Sequence, residues 1–358
     1  MSRKKLCFII AGLIILAVVI IAAILLSKNK MPSLEKIPAE KVNSIRALDP
    51  TLTPDNKSMV YYDLDQLDLY KLNLSSNTME KLSDNMDQPL KIIWSPDRSQ
   101  AIIKIIYDKY KFEKFGSPFV NTQLQDETVA LWHYDSLTQK YTMLDTNIFN
   151  PAPLDPLNPI WTADSKHLIY HHLDRNNNVS TLNISDGDGQ NWRKLGDVPE
   201  NLYSILSYDD SSNTVLYSTY STETNFYRIA RFNITKQQDE EIITDAGLSL
   251  LVDDNQMVCT KNNRTFFLNL LDKKQKNLPV IADEGKTFLS ADGKKLIAVK
   301  NKEDKEYILI VNLENFKIEK NIDPGLDNSN IKNLTISSDG QNIFFTNDDL
   351  LYKIDLKR

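Results

Sequence analysis

Seven aspartates recur along the chain in closely similar surroundings: Asp55, Asp97, Asp164, Asp210, Asp254, Asp292 and Asp339. Repeated carboxylates have two chemical uses: they ligate a divalent cation, or they accept backbone N–H bonds in tight turns. The clearest copy is "WSPDRSQAIIK", where a hydroxyl stands two residues before Asp97 and an apolar run follows. Successive aspartates lie 42, 67, 46, 44, 38 and 47 residues apart. With one aspartate per unit, they are too scattered to share an ion whose ligands stand about 2.3–2.6 Å away. They read as structural turn residues.

Three of the four histidines, His167, His171 and His172, fall close together. Imidazoles are common metal ligands. On a strand, however, four residues span about 13 Å, and neighbouring residues point to opposite faces. His167 and His171 therefore do not share an ion, and neither do His171 and His172. "DGDGQN", residues 186 to 191, partly matches a calcium loop, but Gln190 breaks the alternation of ligands. Asp-Gly is also a standard hairpin turn. "KIIYDKYKFEKF", residues 104 to 115, interleaves lysine with aromatics, as a groove for single-stranded nucleic acid does. It reads better as a strand running out into a loop. A serine hydrolase of the α/β type needs G-x-S-x-G, which the chain does not contain. Its two cysteines, Cys7 and Cys259, exclude a cysteine zinc box and leave the body without a disulfide. No catalytic residue, metal ligand or cofactor is expected, and no motif singles out binding residues. The N-x-S/T triplets at Asn56, Asn73, Asn178, Asn183, Asn233, Asn263 and Asn333 are expected by chance in so Asn-rich a chain.

What positions these residues is a repeat. The copies are "LTPDNKSMVYY" from Leu52, "WSPDRSQAIIK" from Trp94, "WTADSKHLIYH" from Trp161, "SYDDSSNTVLY" from Ser207, "LVDDNQMVCT" from Leu251, "LSADGKKLIAV" from Leu289 and "ISSDGQNIFFT" from Ile336. After each comes an apolar run and then a second hairpin, as in "DLYKLNLSSNTMEKL" and "YILIVNLENFKIEKN". Alternation bounded by Asn, Asp, Ser and Pro predicts strands. A period near 44 with four short strands predicts propeller blades. One blade cannot cover both faces of its sheet, whereas a ring of stacked blades can.

These residues resemble the TolB-like β-propeller repeat, also called WD-like or PD-type, whose pattern is roughly W-S-P-D-G-K-x-[IL]-[AV]-[FY]. The resemblance covers about residues 50 to 358 and is weakest at Asp210 and Asp254. It implies a propeller and leaves function open. The repeat occurs in periplasmic translocation propellers, in propeller domains of prolyl-oligopeptidase-like enzymes and in some carbohydrate-active proteins. Seven copies predict an all-β, seven-bladed β-propeller. The alternative count is six, with the Asp254 region as an insertion. The last copy has only three strands, and "KVNSIRAL", residues 41 to 48, has no blade of its own. It is expected to pair with "LYKIDLKR" and close the ring. Residues 112 to 127 and 147 to 159 read as long irregular surface loops.

The N-terminus completes the organisation. Residues 6 to 26, "LCFIIAGLIILAVVIIAAILL", are uninterrupted by charge and long enough as a helix to span a bilayer. "MSRKK" before them keeps residues 1 to 5 in the cytoplasm. The run is longer than a signal-peptide core and lacks a small-x-small site, so it reads as an uncleaved anchor. Residues 27 to 39 read as a linker and residues 40 to 358 as the propeller domain. Beyond residue 30 the chain carries 37 basic and 48 acidic residues, a net charge of −11, which argues against nucleic acid as a partner. The function expected is a non-catalytic, membrane-anchored binding platform outside the cytoplasm, for a cell-envelope protein, peptide or glycan. The alternative is an envelope polysaccharide lyase or hydrolase with its site in the propeller channel.

Overall fold

The computed structural model describes residues 31–83, 86, 89–108, 127–144, 159–174, 179–199, 202–221, 223, 226–283, 285–290, 292–302, 305–327, 330–337 and 339–357. The anchor expected at residues 6 to 26 lies outside them, as do residues 1 to 5, the loop residues 112 to 126 and 147 to 158, and most of the lysine–aromatic stretch. Among the described residues no helix is long and apolar enough to cross a membrane.

Every regular element described is a strand. In chain order these begin with β1 (Glu35–Lys36), β2 (Glu40–Leu52), β3 (Ser58–Asp63), β4 (Asp68–Asn73) and β5 (Met79–Lys81). Next come β6 (Lys91–Trp94), β7 (Gln100–Asp108), β8 (Glu127–Asp135) and β9 (Lys140–Met143). The third repeat folds as β10 (Ile160–Trp161), β11 (His167–Asp174), β12 (Val179–Asp186) and β13 (Arg193–Asp197). The fourth gives β14 (Ser204–Asp209), β15 (Thr214–Ser221), β16 (Phe226–Asn233) and β17 (Gln238–Ala246). The fifth gives β18 (Ser249–Asp253), β19 (Gln256–Lys261), β20 (Arg264–Asn269) and β21 (Gln275–Asn277). The chain ends with β22 (Thr287–Leu289), β23 (Lys295–Lys302), β24 (Lys305–Asn312), β25 (Lys317–Asp323), β26 (Ile331–Ile336), β27 (Asn342–Asn347) and β28 (Leu350–Asp355).

These strands build a β-propeller. Four sheets, β6–β9, β10–β13, β14–β17 and β18–β21, are four-stranded antiparallel meanders. A fifth holds β22–β25, with β1 added in parallel beside β25. The remaining strands form one seven-stranded sheet in the order β26-β27-β28-β2-β3-β4-β5. Five separate blades are therefore present, not the seven expected. The reason is β2, which is hydrogen-bonded along both edges. Its first half pairs with β28, Glu40 opposite Lys353 and Arg46 opposite Leu350. Its second half pairs with β3, Ala47 opposite Asp63 and Leu52 opposite Met59. Asp49, at φ 49°, lies in that second half, where the register with β3 shifts. The segment at residues 41 to 48 thus joins the C-terminal strand. The Asp254 region forms its own four-stranded sheet and is no insertion.

Residues 35 to 39 belong to this fold and do not hang free as a linker. Ile37 N–H donates to the Asp323 carbonyl and Ala39 N–H to that of Pro324, at 3.1 and 2.9 Å. Ile37 is buried against Ile322 and Ile354.

The strand after each turn carries an apolar run on both of its faces because both are covered. On β3, Val60 and Tyr62 pack toward β6–β9, while Met59 and Tyr61 pack toward Phe344 and Leu351. On β15, Val215 and Tyr217 pack against Ile169 and Leu182, and Leu216 packs against Met257 and Cys259. Period-two alternation thus feeds two cores from one strand. Further clusters join β7 to β11, β19 to β23, and β23 to β27.

Candidate functional site

The turn aspartates do local work. At five copies the hydroxyl two residues earlier donates to the aspartate Oδ1. Thr53 reaches Asp55 at 2.7 Å, Ser95 reaches Asp97 at 2.7 Å and Thr162 reaches Asp164 at 2.6 Å. Ser290 reaches Asp292 at 2.6 Å and Ser337 reaches Asp339 at 2.5 Å. The same Oδ1 accepts the N–H two residues on, from Lys57, Ser99, Lys166, Lys294 and Gln341, at 3.0–3.1 Å. The hydroxyl also accepts the N–H of the residue that opens the next strand, such as Gln100 at 3.0 Å. The residue after each aspartate is left-handed: Asn56, Arg98, Ser165, Gly293 and Gly340 have φ of 55°, 63°, 62°, 68° and 68°. Only two of the five are glycine. At Arg98 the guanidinium compensates by donating to the carbonyls of Ser95 and Leu52. The hydroxyl bond, then the backbone N–H, hold Asp55, Asp164 and Asp339 below the usual carboxylate range.

The two weak copies differ. At the fourth, Asp209 accepts the Ser211 N–H at 2.9 Å and the Ser211 and Ser212 hydroxyls at 2.7 and 2.6 Å. At the fifth, Asp253 accepts the Asn255 N–H at 2.8 Å. In each case a carboxylate one residue before the expected one, Asp210 or Asp254, sits at the turn, which frees the expected one to face outward.

That slip helps to create a cavity. A space of about 650 Å³ opens where the turns of three consecutive sheets meet, lined by Trp161, Asp164, His167, Asp186, Arg193, Tyr208, Asp210 and Asp254 among others. Three turn aspartates from different repeats thus converge on one opening, which spacing alone does not reveal. His167 lies between two carboxylates, with Nδ1 3.8 Å from Asp164 and Nε2 3.7 Å from Asp186. Asn191 donates to Asp186 at 2.7 Å, and the Tyr208 hydroxyl donates to Asp210 at 3.3 Å. Burial, with Asp210 adding, pushes the Tyr208 phenol up to about 12. The Trp161 indole N–H is held by the Ile93 carbonyl at 2.9 Å. "DGDGQN" forms the hairpin between β12 and β13, with Asp186 N–H donating to the Gln190 carbonyl at 2.9 Å. Four carboxylates against Arg193 make the opening electronegative, with every group but Trp161, Tyr208 and the aliphatic lining polar.

The other histidines are engaged elsewhere. His171, four residues along the unbroken β11, hydrogen-bonds Ser180 at 2.6 Å, and burial with His172 nearby depresses it to about 4. His133 bonds the Gln100 amide oxygen at 2.7 Å. Among the described residues no three His, Cys, Asp or Glu side chains are grouped to hold a metal ion. Cys259 is buried, and burial pushes its thiol up to about 12, out of reach of nucleophilic chemistry at neutral pH.

No protein-family model matches the chain, and no curated protein matches it. Among solved structures it is similar to an oligogalacturonate lyase in complex with manganese, with a TM-score of 0.53 and 14% identity over 75% of this chain and 77% of that one. It is also similar to prolyl endopeptidases analysed for inter-domain dynamics, with a TM-score of 0.55 and 10% identity over 89% of this chain. The match spans 49%, about half, of the endopeptidase chain. At these identities the likeness is one of fold.

Proposed function

We propose that the protein is a non-catalytic binding platform, anchored through residues 6 to 26 and held outside the cytoplasm, that captures a cationic segment of an envelope protein or peptide. The observation that carries this reading is the electronegative opening where three turns meet. Three of its four carboxylates are held by hydrogen bonds: Asp164 by Thr162 and the Lys166 N–H, Asp186 by Asn191, Asp210 by Tyr208. Groups fixed in this way supply a static negative field for Lys or Arg side chains, and rigid turns cost little ordering entropy on binding.

Seven repeats underlie the platform, two of them sharing β2 within the seven-stranded sheet, and two facts support their closure into a ring. Each half of β2 completes a four-stranded meander, β26-β27-β28-β2 and β2-β3-β4-β5. Seven apolar clusters also link successive repeats and lead back to the first, through Ile45, Met59, Tyr61, Phe344 and Leu351. The TolB-like repeat fits this closure.

The second reading, a polysaccharide lyase or hydrolase, has the fold of the oligogalacturonate lyase in its favour. That protein was solved with manganese, and among the residues described here no three His, Cys, Asp or Glu side chains are grouped to hold a metal ion. Cross-linking in intact source membranes tests the choice, with the native chain set beside the Asp186→Lys and Asp210→Lys variants. One stoichiometric envelope protein that both variants lose supports the platform. A partner retained by both variants refutes the cavity, and turnover of a polysaccharide by the purified chain refutes the non-catalytic reading.

A further inference from the structure

Toward the far end of β15 lies a second cavity, about 17 Å from the acidic opening for the five residue steps between Val215, which stands opposite Tyr208, and Tyr220. It measures about 340 Å³, and its lining includes Tyr220, Phe226, Tyr227, Thr260, Ile281 and Asp283. Register explains the aromatics. Tyr220 and Tyr227 are direct cross-strand partners on β15 and β16, so both rings project from one face. Tyr203 enters β14 beside them, its N–H bonded to the Ser218 carbonyl at 2.7 Å. The three ring centroids stand 5.2, 5.4 and 5.7 Å apart, with planes inclined by 39° to 51°.

That spacing decides what the groove takes. A cage for an ammonium group places the cation between rings, within about 6 Å of each centroid. Here the rings touch one another, and the inclination turns them into one curved apolar surface. Tyr203, Tyr220, Phe226 and Ile281 remain 43%, 40%, 41% and 49% exposed. Polar side chains edge this surface, namely Thr260, Asn262, Asn263 and Asp283, while Lys261 is paired with Asp245 at 3.5 Å. An apolar bed with a rim of hydrogen-bonding groups matches a sugar ring, whose faces are C–H and whose edge is hydroxyl. Asp283 and Asp245 disfavour an acidic sugar. The floor is preformed. Thr260 binds the Gly247–Leu248 backbone through bonds of 2.6–3.0 Å, and a Cβ at Gly247 would meet the Thr260 hydroxyl at 2.7 Å.

We propose that this groove binds a neutral pyranose with equatorial hydroxyls, the Tyr220 and Tyr227 rings, propped by Tyr203 from outside the cavity, stacking on its C–H face. The site is separate from the cationic-segment cavity and stands or falls without it.

Saturation-transfer NMR and calorimetry on the full chain test this, with cellotetraose, trigalacturonate and decaproline as probes. Cellotetraose should bind, and trigalacturonate should bind about tenfold more weakly. Tyr220→Ala should weaken cellotetraose by about tenfold or more and Tyr203→Ala, which removes only a prop, by less, while Tyr220→Phe stays within about threefold. Melting curves check that each variant is folded, and Asp186→Lys should leave the sugar affinity unchanged. No transfer to cellotetraose from folded chain, equal affinity in Tyr220→Ala, or preference for trigalacturonate or decaproline overturns the proposal.

Discussion

Ile45 is the residue on which closure of the propeller can be tested. It is 5% exposed and lies in one cluster with Met59, Tyr61 and Leu72 from one half of the seven-stranded sheet and Phe344 and Leu351 from the other. Ile45→Ala removes three carbons from a site hemmed in by both halves. Large-to-small changes of this kind cost about 2–5 kcal/mol, because the cavity left behind closes only partly. An unfolding entropy of about 2.1 cal/mol/K per residue gives roughly 0.65 kcal/mol/K for a body of this size. A loss of about 3 kcal/mol then lowers the melting temperature by about 5 °C. Arg46 beside it pairs with Asp65 and Asp349 at 3.2 Å each, but all three side chains are about half exposed, so Arg46→Ala should shift the curve far less. Leu137→Ala, at a position 88% exposed, is the neutral control. Calorimetry of the full chain supplies the melting temperature. Hydrogen exchange supplies the signature, faster exchange of β3 and β28 together in Ile45→Ala. Deleting residues 40 to 48 removes both edges of the join and should cost more than the point change. A shift below about 1 °C in Ile45→Ala, or exchange that rises in β3 alone, refutes the idea that this strand locks the ends together.

Three other outcomes follow from the geometry. His171 titrates near 4 when folded and near its ordinary 6.5 when unfolded, so the unfolded chain takes the proton first as pH falls. Stability is full above about pH 6.5, and about 3 kcal/mol is lost by about pH 4; His171→Gln should flatten that part of the profile in chemical denaturation. Ser95→Ala should cost about 1–3 kcal/mol by removing a buried hydroxyl and its bonds to Asp97 and Gln100, whereas Asp210→Asn should cost little because Asp209 holds that turn. A Cβ at Gly196 would lie 2.0 Å from Ile234 Cγ2, so Gly196→Ala should destabilise by about 1–3 kcal/mol, and Ile234→Ala in the same chain should recover part of the loss in a double-mutant cycle.

The turn chemistry and the inner strands were legible without coordinates, since both are local. A hydroxyl two residues before an aspartate closes its own turn, and a run such as "AII", residues 101 to 103, shows by its unbroken apolarity that both its faces are covered. The pairing of residues 41 to 48 with the C-terminal strand followed from counting strands, because a three-stranded last repeat leaves an edge and a spare strand fills it. The blade count misled because one strand can serve two sheets, a property of pairing and not of composition. The move of the turn carboxylate to Asp209 and Asp253 was hidden in Asp-Asp pairs, where either residue satisfies the pattern.

From its order of residues alone, the chain determines strands, turns and the need for stacking, because each depends on neighbours a few positions away or on faces one strand cannot cover. Only the tertiary structure decides that Asp164, Asp210 and Asp254 open onto one cavity and that Tyr203, Tyr220 and Tyr227 touch. Those meetings depend on how far each sheet is rotated against the next and on which residues stand opposite in the pairing, and a shift of one residue would send each ring to the other face.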